Sequence, residues 1–459
     1  MSTKKESKTN MRRRDFLAAA GAIAAGTFIP QHFNIAKAGT SANSKVNVAM
    51  IGGGGIAGMA FGGCKGENIV AVCDVNSKFT NREGAKSFTD FRVMFDKMGK
   101  EIDAVCVNTP DHTHFAATME AMQRGIHVCT QKPLTHNIWQ ARTLYKAAKK
   151  YPKVLTNMGN QGHTYNGIRT MKEWYEAGIL GQVKEVYSGI GFNFRGTYFG
   201  KPKNNPPTKT PVPDNLNWDL WIGPGIETDY NPIYNPRRWR GFYNYGGAQL
   251  ADWFCHINDG PVYILDLYEP TEIECLERKT NVGNLVTDSC HIRWKFPKRG
   301  KMAPCNLNWT DGPNMKLKVP ENWGHGKNPG SGSVWFADKN NGYLDARSNH
   351  PKLADRAKMV ELQNSKALPA EKYPRVKHGS PHRELMEAIK GGPKCGSRFE
   401  YAARLTETCL LGVLAQRFGG KIEWDAKNMK ITNRPELNAY IKEPVRKEWE
   451  DYGTDIWKA

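Results

Sequence analysis

A run of four glycines directly after a short apolar segment is the feature that most constrains how this chain can fold. The apolar segment is Val46 to Ile51, and the run continues as Gly52-Gly53-Gly54-Gly55-Ile56-Ala57. Glycine-x-glycine-x-x-alanine between a strand and a helix is typical of a turn that binds the pyrophosphate of a dinucleotide. Gly52 would permit the tight turn, Gly54 would let the backbone approach the phosphates, and Ala57 would let the helix pack closely on the strand.

The residue that follows the next predicted strand indicates which dinucleotide is bound. That strand runs from Asn68 to Cys73, and Asp74 comes directly after it. A carboxylate at this place would accept a hydrogen bond from the ribose 2′-hydroxyl and would repel a 2′-phosphate. We therefore predict NAD, not NADP, as the cofactor.

Strand and helix patterns alternate up to Lys150, which predicts a parallel, doubly wound sheet of the Rossmann type. After about residue 165 the pattern changes to strands with partial alternation, such as Ser289 to Phe296, which predict a second α/β domain with an antiparallel or mixed sheet. Residues 311–350 are rich in glycine and asparagine, so we expect them to be irregular. The predicted division is 1–38, 39–165 and 166–459.

The first 38 residues have the layout of an export signal. Arg12 to Arg14 precede an apolar, alanine- and glycine-rich stretch from Phe16 to Ile29, and Ala36-Lys37-Ala38 fits a cleavage site. The stretch is too short and too weakly hydrophobic for stable membrane insertion. The pattern predicts a twin-arginine signal peptide and a periplasmic protein that is exported folded, with its cofactor already bound. A cytoplasmic protein with a chance arginine pair is the alternative.

Charge and cysteine content exclude some classes of function. The net charge is +20, but lysine and arginine are scattered and no nucleic-acid-binding motif is present, so we predict no nucleic-acid partner. The ten cysteines form no CxxC pair and, with the histidines, show no metal-ligand spacing. We therefore expect reduced, buried thiols and no metal site.

Several further motifs occur in a fixed order. They are Asp103-Ala-Val-Cys-Val-Asn-Thr109-Pro110, then His114, then Gly125-Ile-His-Val128, then Lys132-Pro133. Together with the glycine turn, they resemble the glucose-fructose oxidoreductase/inositol dehydrogenase (Gfo/Idh/MocA) family. The resemblance runs from Val46 to about Tyr187 and resumes around Asp252 to His256.

This resemblance implies an N-terminal Rossmann domain and a C-terminal α/β domain with a large open sheet. One face of that sheet would cover the active site and serve in subunit contacts, so we expect a homo-oligomer, either a dimer or a tetramer. The matched positions Thr109, Pro110 and His114 are expected at the cofactor side of the cleft.

Three matched residues carry the expected chemistry. The family motif is Glu-Lys-Pro where this chain has Gln131-Lys132-Pro133, and Lys132 matches the lysine that contacts the hydroxyl undergoing oxidation. Asp252 and His256 are four residues apart, so they would share one helix face. By resemblance, His256 is the general base and Asp252 binds substrate or supports the base; Asp259 could orient the imidazole.

Further polar and aromatic residues are candidate substrate contacts. Asn160, Gln161 and His163 follow a predicted strand, and therefore would lie at the carboxyl edge of the sheet, where amides and an imidazole suit sugar hydroxyls. Tyr245 belongs to an aromatic and basic segment that could form a lid or a stacking platform.

The motifs favour an NAD-dependent oxidoreductase that transfers a hydride from a carbohydrate hydroxyl carbon to tightly bound NAD. A redox-neutral glycoside hydrolase or lyase that works through a keto-sugar is one alternative. A sugar-binding protein without catalysis is another, although it would not need Lys132, Asp252 and His256 together.

Overall fold

The structure is a computed structural model, and it describes residues 44–191, 205–279, 283–312, 317, 319–324 and 328–458. The predicted signal peptide, residues 1–38, lies outside the described residues. No helix within these ranges is long and apolar enough to cross a membrane.

The first sheet is parallel throughout and has the strand order β3-β2-β1-β4-β5-β6. Its strands are β1 (Asn47–Ile51), β2 (Asn68–Cys73), β3 (Lys86–Phe88), β4 (Ala104–Val107), β5 (His127–Thr130) and β6 (Thr156–Met158). The strand order reverses between β1 and β4, and ligands of such sheets bind at the carboxyl edge beside that reversal. The predicted Rossmann sheet is confirmed.

The helices that follow these strands begin and end where the sequence provides local signals. They are α1 (Ala57–Gly63), α2 (Phe91–Met98), α3 (His114–Gln123), α4 (Ile138–Lys150) and α5 (Gly167–Glu176). Asn137 and Gln140 form a capping box at the start of α4, and Lys149 and Lys150 lie at its negatively polarised end.

The second sheet is large and mixed, with the order β13-β12-β11-β7-β10-β9-β8-β14-β15 in the part of the chain that the structure describes. Its strands are β7 (Val183–Ile190), β8 (Glu272–Lys279), β9 (Ser289–Phe296), β10 (Cys305–Asp311), β11 (Ser331–Ala337), β12 (Gly342–Leu344), β13 (Lys352–Leu353), β14 (Gly420–Asp425) and β15 (Lys430–Ile431). Among its described strands, only β7 and β10 pair in parallel; the other neighbours are antiparallel. The predicted second α/β domain with a mixed sheet is confirmed.

The expectation that residues 311–350 are irregular is wrong in part, because they contain β11 and β12. Strand β11 pairs with β7, a segment far earlier in the chain. Because its partner is distant in the sequence, the only local sign of strand β11 is a short apolar stretch between glycines.

The later helices are α6 (Trp218–Ile222), α7 (Ala248–Ile257), α8 (Asp259–Ile264), α9 (Arg356–Asn364), α10 (Pro381–Ile389) and α11 (Phe399–Phe418). Helix α11 packs on α7 and on the second sheet. The Trp294 ring packs directly against Gly412, where a Cβ would lie 2.1 Å from the ring. Helix α10 instead packs on the first sheet, where Leu385 and Met386 belong to one buried cluster with Val48 and Met50.

The predicted domain boundary between residues 165 and 166 stays a prediction.

All ten cysteines lie in described residues, none forms a disulfide, and only Cys275 is not buried. Burial raises the pKa of thiols such as Cys129 and Cys409 well above the ordinary value. These side chains therefore pack as small apolar groups.

Candidate active site

The glycine turn between β1 and α1 has the conformation that its sequence predicts. Gly52 has a φ of 88°, and a Cβ there would lie 2.9 Å from the carbonyl carbon of Asn108. Gly55 has a φ of 55°, and a Cβ there would meet nothing within 4 Å. The first position therefore needs glycine for its backbone angles and for the close approach of β4, while the fourth leaves bare backbone beside open space.

Asp74 lies directly against this turn. The Gly53 N–H donates to Asp74 Oδ2 and the Asn76 N–H donates to Oδ1, both at 2.8 Å. Burial raises the pKa of Asp74, and these backbone donors partly oppose that shift. The carboxylate keeps further lone pairs for a ligand hydroxyl.

A cleft of about 360 Å³ opens at the carboxyl edge of the first sheet, beside the reversal in strand order. The predicted cofactor residues Gly52, Gly54, Asp74, Thr109 and Pro110 line it. Ala57 is completely buried behind the turn, as close helix packing requires. The bare glycine backbone of the turn fits the pyrophosphate of NAD, and the Asp74 carboxylate fits its ribose.

His114 lies behind the cleft wall rather than in it. One ring nitrogen is 2.8 Å from the carbonyl oxygen of Thr109 and the other is 2.8 Å from that of Pro133. Burial lowers the pKa of His114 to about 4, so the neutral ring donates to only one of the two carbonyls at a time. The contacts tie together the loops that follow β4 and β5; a cofactor contact of His114 stays a prediction.

Lys132 and Asp252 form a buried ion pair, although 120 positions separate them. Lys132 Nζ donates to Asp252 Oδ1 at 2.6 Å and to the Asp252 carbonyl at 2.7 Å. Arg240 Nε donates to the same Oδ1 at 3.1 Å. Burial alone would raise the pKa of Asp252, but Lys132 and Arg240 outweigh it and lower this pKa well below the ordinary value. Asp252 is therefore ionised throughout the physiological range, and it fixes the position of the lysine ammonium.

His256 lies one helical turn after Asp252 on α7. Burial lowers the pKa of His256 well below the ordinary value; Lys132 and Arg347 lower it further, and Asp252 opposes them. Its buried Nδ1 has no hydrogen-bond partner among the described residues. The imidazole is therefore neutral at pH 7, and it can accept a proton from a group placed beside it.

Asp111, which sequence reasoning missed, begins a short 3₁₀ turn directly after Pro110. It is only 5% exposed. Burial raises its pKa to about 7, while Arg240 and Lys132 lower it and Asp252 raises it. Asp111 is thus a second titratable carboxyl in the electrostatic environment of the Lys132–Asp252 pair. In the sequence, the only indication that Asp111 belongs to the site was its position directly after Thr109-Pro110.

The predicted substrate contacts have different surroundings. Asn160 is buried and donates from Nδ2 to the Cys255 carbonyl at 2.7 Å, which ties the loop after β6 to α7. Gln161 is half-buried and accepts a hydrogen bond from Arg347. Tyr245 is buried against the rings of His112 and Trp221.

His163 belongs to a separate buried network. Its Nδ1 is 2.9 Å from Asp259 Oδ1, and the Tyr401 hydroxyl donates to the same oxygen at 2.5 Å. Asp259 thus contacts His163 instead of His256, contrary to the predicted orienting role. Substrate contacts by Asn160, Gln161, His163 and Tyr245 stay predictions.

No group of three His, Cys, Asp or Glu side chains that could hold a metal ion occurs in the described ranges.

Two adjacent parts of the chain match models of one family. Residues 46–158 match the oxidoreductase family, NAD-binding Rossmann fold, and residues 165–296 match the C-terminal alpha/beta domain of the same family. Among curated relatives, UDP-N-acetylglucosamine 3-dehydrogenase of Acidithiobacillus ferrooxidans is 40% identical over 108 residues, which are 24% of this chain and 27% of that protein. The chain spans only about a quarter of the length of curated relatives such as this one.

Solved structures share the fold over most of the chain. WlbA dehydrogenase from Bordetella pertussis, in complex with NADH and UDP-GlcNAcA, has a TM-score of 0.55 at 14% identity and covers 83% of this chain and 99% of its own. An inositol dehydrogenase homolog from Azotobacter vinelandii, complexed with NAD+, has a TM-score of 0.55 at 16% identity. The match covers 86% of this chain and 100% of that chain. With both domain models matched in order, and with the strand order and glycine turn described above, the chain belongs to the Gfo/Idh/MocA oxidoreductase family, and its first domain binds NAD.

Proposed function

We propose that this protein is an NAD-dependent dehydrogenase that oxidises a hydroxyl group of a carbohydrate. The observation that carries the proposal is the Lys132–Asp252 ion pair with a neutral, buried His256 one helical turn away. Family members named as sugar dehydrogenases support it, as does the sugar nucleotide in the WlbA complex.

Oxidation of a hydroxyl requires a group that takes its proton. His256 suits this role because its ring is neutral at pH 7 and its Nδ1 has no partner among the described residues. A proton on His256 would also be repelled by Lys132, so the imidazole would release it to solvent after the reaction.

Lys132 would polarise the reacting hydroxyl. Its ammonium donates two hydrogen bonds to Asp252, which leaves one N–H for the substrate oxygen. Asp252 positions the lysine and neutralises part of the local positive charge. When bound, NAD supplies the hydride acceptor.

The test measures NADH formation by absorbance when the purified protein is mixed with NAD and a panel of sugars, polyols and glycosides. We expect NADH to accumulate with at least one of them. His256→Ala and Lys132→Ala should each lower the rate about 10²–10⁴-fold, while NAD still binds because neither residue lines the glycine turn. Release of a sugar product without any accumulation of NADH would contradict the proposal, and near-normal turnover by a folded, NAD-loaded His256→Ala protein would contradict the assignment of the base.

We further propose export by the twin-arginine route and cleavage after Ala38, supported by the sequence of residues 12–38. Changing Arg13 and Arg14 to lysine should retain the precursor in the cytoplasm. Normal processing in cells that lack the twin-arginine translocase would contradict this. A homo-oligomer is proposed from the family resemblance, and sedimentation velocity would test it.

A further inference from the structure

The loop between β12 and β13, residues 345–350, is held in a strained conformation beside α7. Ser348 and His350 have φ values of 52° and 47°, which non-glycine residues rarely adopt. The buried Ser348 Oγ donates to the His256 carbonyl at 2.8 Å and accepts from the Gly260 N–H at 3.0 Å. The loop is therefore fixed directly to the turn of α7 that carries His256.

This loop places Arg347 at the candidate active site. The guanidinium donates to the Gln161 side chain, in the loop that follows β6, and lies 5.4 Å from the centre of the Trp253 ring. The Trp253 ring is 5.5 Å from the His256 ring. A Cβ at Gly162 would lie 2.3 Å from the Arg347 carbonyl oxygen, so the two loops are in close contact.

The Arg347 guanidinium has no acidic partner among the described residues, although the backbone N–H of Arg347 donates to the Asp345 carboxylate at 2.9 Å. None of the carboxylates in the described part of the chain forms an ion pair with the guanidinium, whereas Lys132 and Arg240 both pair with Asp252. Its hydrogen bond to Gln161 satisfies one of its five N–H donors with a neutral acceptor. An arginine held half-buried by a strained loop, without a carboxylate, retains donors for an anion.

Positive charge is also in excess near His256. Lys132 and Arg347 both act on it against Asp252, and Asp252 is already paired with Lys132 and Arg240. A negatively charged substrate would neutralise this charge, while a neutral sugar would leave it.

We propose that the sugar bound at this site carries a negatively charged group, and that Arg347 binds that group. The proposal rests on the proposed function. A guanidinium forms paired hydrogen bonds with two oxygens of a carboxylate, sulfate or phosphate, so it would both bind the anion and orient the ring toward Lys132 and His256.

The test measures equilibrium binding by calorimetry to NAD-loaded protein, together with NADH formation. The probes are matched sets: glucuronate, glucose 6-sulfate, glucose 6-phosphate and glucose, and the corresponding galactose and mannose sets. We expect members with an anionic group to bind at least 10-fold more tightly than the neutral member of the same set. The carboxylate, sulfate and phosphate arms then identify which anion Arg347 binds.

Arg347→Gln should weaken binding of the anionic sugar roughly 10- to 100-fold and leave binding of the neutral sugar within about twofold. Arg347→Lys should recover part of the loss, because it keeps the charge but not the paired geometry. Arg356→Gln is the matched control, because it removes the same charge from an exposed position on α9.

Raising the NaCl concentration should weaken binding of the anionic sugar to the native protein and leave the neutral sugar unaffected, which tests the proposal even if Arg347→Gln does not fold. Equal binding of neutral and anionic sugars, or equal losses in Arg347→Gln for both, would overturn the inference but leave the proposed dehydrogenase intact. Failure of every sugar to bind or to be oxidised would overturn both.

Discussion

Replacing Asp111 with asparagine should change how the stability of this protein depends on pH. The Asp111 carboxyl is buried, and burial raises its pKa from the ordinary 3.8 to about 7. Above about pH 4 the carboxyl has lost its proton in the unfolded chain, whereas in the folded protein it keeps the proton up to about pH 7. The folded state therefore binds more protons in this window, and the free energy of unfolding falls as the pH rises.

The size of the effect follows from the gap between these two pKa values. Each pH unit of the gap corresponds to about 1.4 kcal/mol, which gives about 4 kcal/mol in full. Between pH 5 and pH 8 the native protein should lose about 2.5 kcal/mol through Asp111. An asparagine side chain does not titrate, so Asp111→Asn should not show this loss.

The assay is urea unfolding of both proteins at several pH values from 5 to 8, at equal NAD content. The difference in free energy of unfolding between Asp111→Asn and the native protein should rise in favour of the variant as the pH rises. Asp214→Asn, at an exposed position, is the control and should give a flat difference. A flat difference for Asp111→Asn as well would refute the reasoning that burial dominates at this carboxyl.

Three other changes test separate parts of the site. Gly52→Ala should lower NAD affinity at least 10-fold in a fluorescence titration, because its Cβ would meet the Asn108 carbonyl and its φ is 88°; unchanged affinity would show that the turn tolerates a side chain. Asp74→Ala should reduce the ratio of NADP to NAD dissociation constants, since the carboxylate that repels a 2′-phosphate is lost; an unchanged ratio would place the selectivity elsewhere. Asp252→Ala should lower the free energy of unfolding by about 3–5 kcal/mol because it leaves Lys132 and Arg240 without their carboxylate; a loss no larger than that of Lys153→Ala, at an exposed position after α4, would contradict it.

The Rossmann part of the fold could be predicted because its signals are local. Strands β1, β2 and β4 are short apolar runs, glycine follows β1 and asparagine follows β4, and the order of the elements restricts the sheet to a few arrangements. Helix α4 ends at Lys150, where the alternating strand and helix pattern of the sequence was predicted to end, and its capping residues adjoin it in sequence. Strand β11 was missed because its partner β7 lies far away in the chain, and no local pattern records that pairing.

The same distinction applies to the site. The sequence by itself predicted the dinucleotide turn and the acidic residue after β2 from their spacing along the chain, and it predicted Lys132, Asp252 and His256 as site residues from short motifs that resemble the family. Only the tertiary structure decided that Lys132 pairs with Asp252, that Asp259 contacts His163, that Asp111 and Arg240 lie close to the Lys132–Asp252 pair, and that Arg347 lies near the candidate base. Those contacts join side chains from the carboxyl edge of the first sheet to helix α7 and the β12–β13 loop. Burial and the neighbouring charges at their junction together set the pKa values. Burial and charge proximity are properties of packed space, so spacing along the chain could not reveal them.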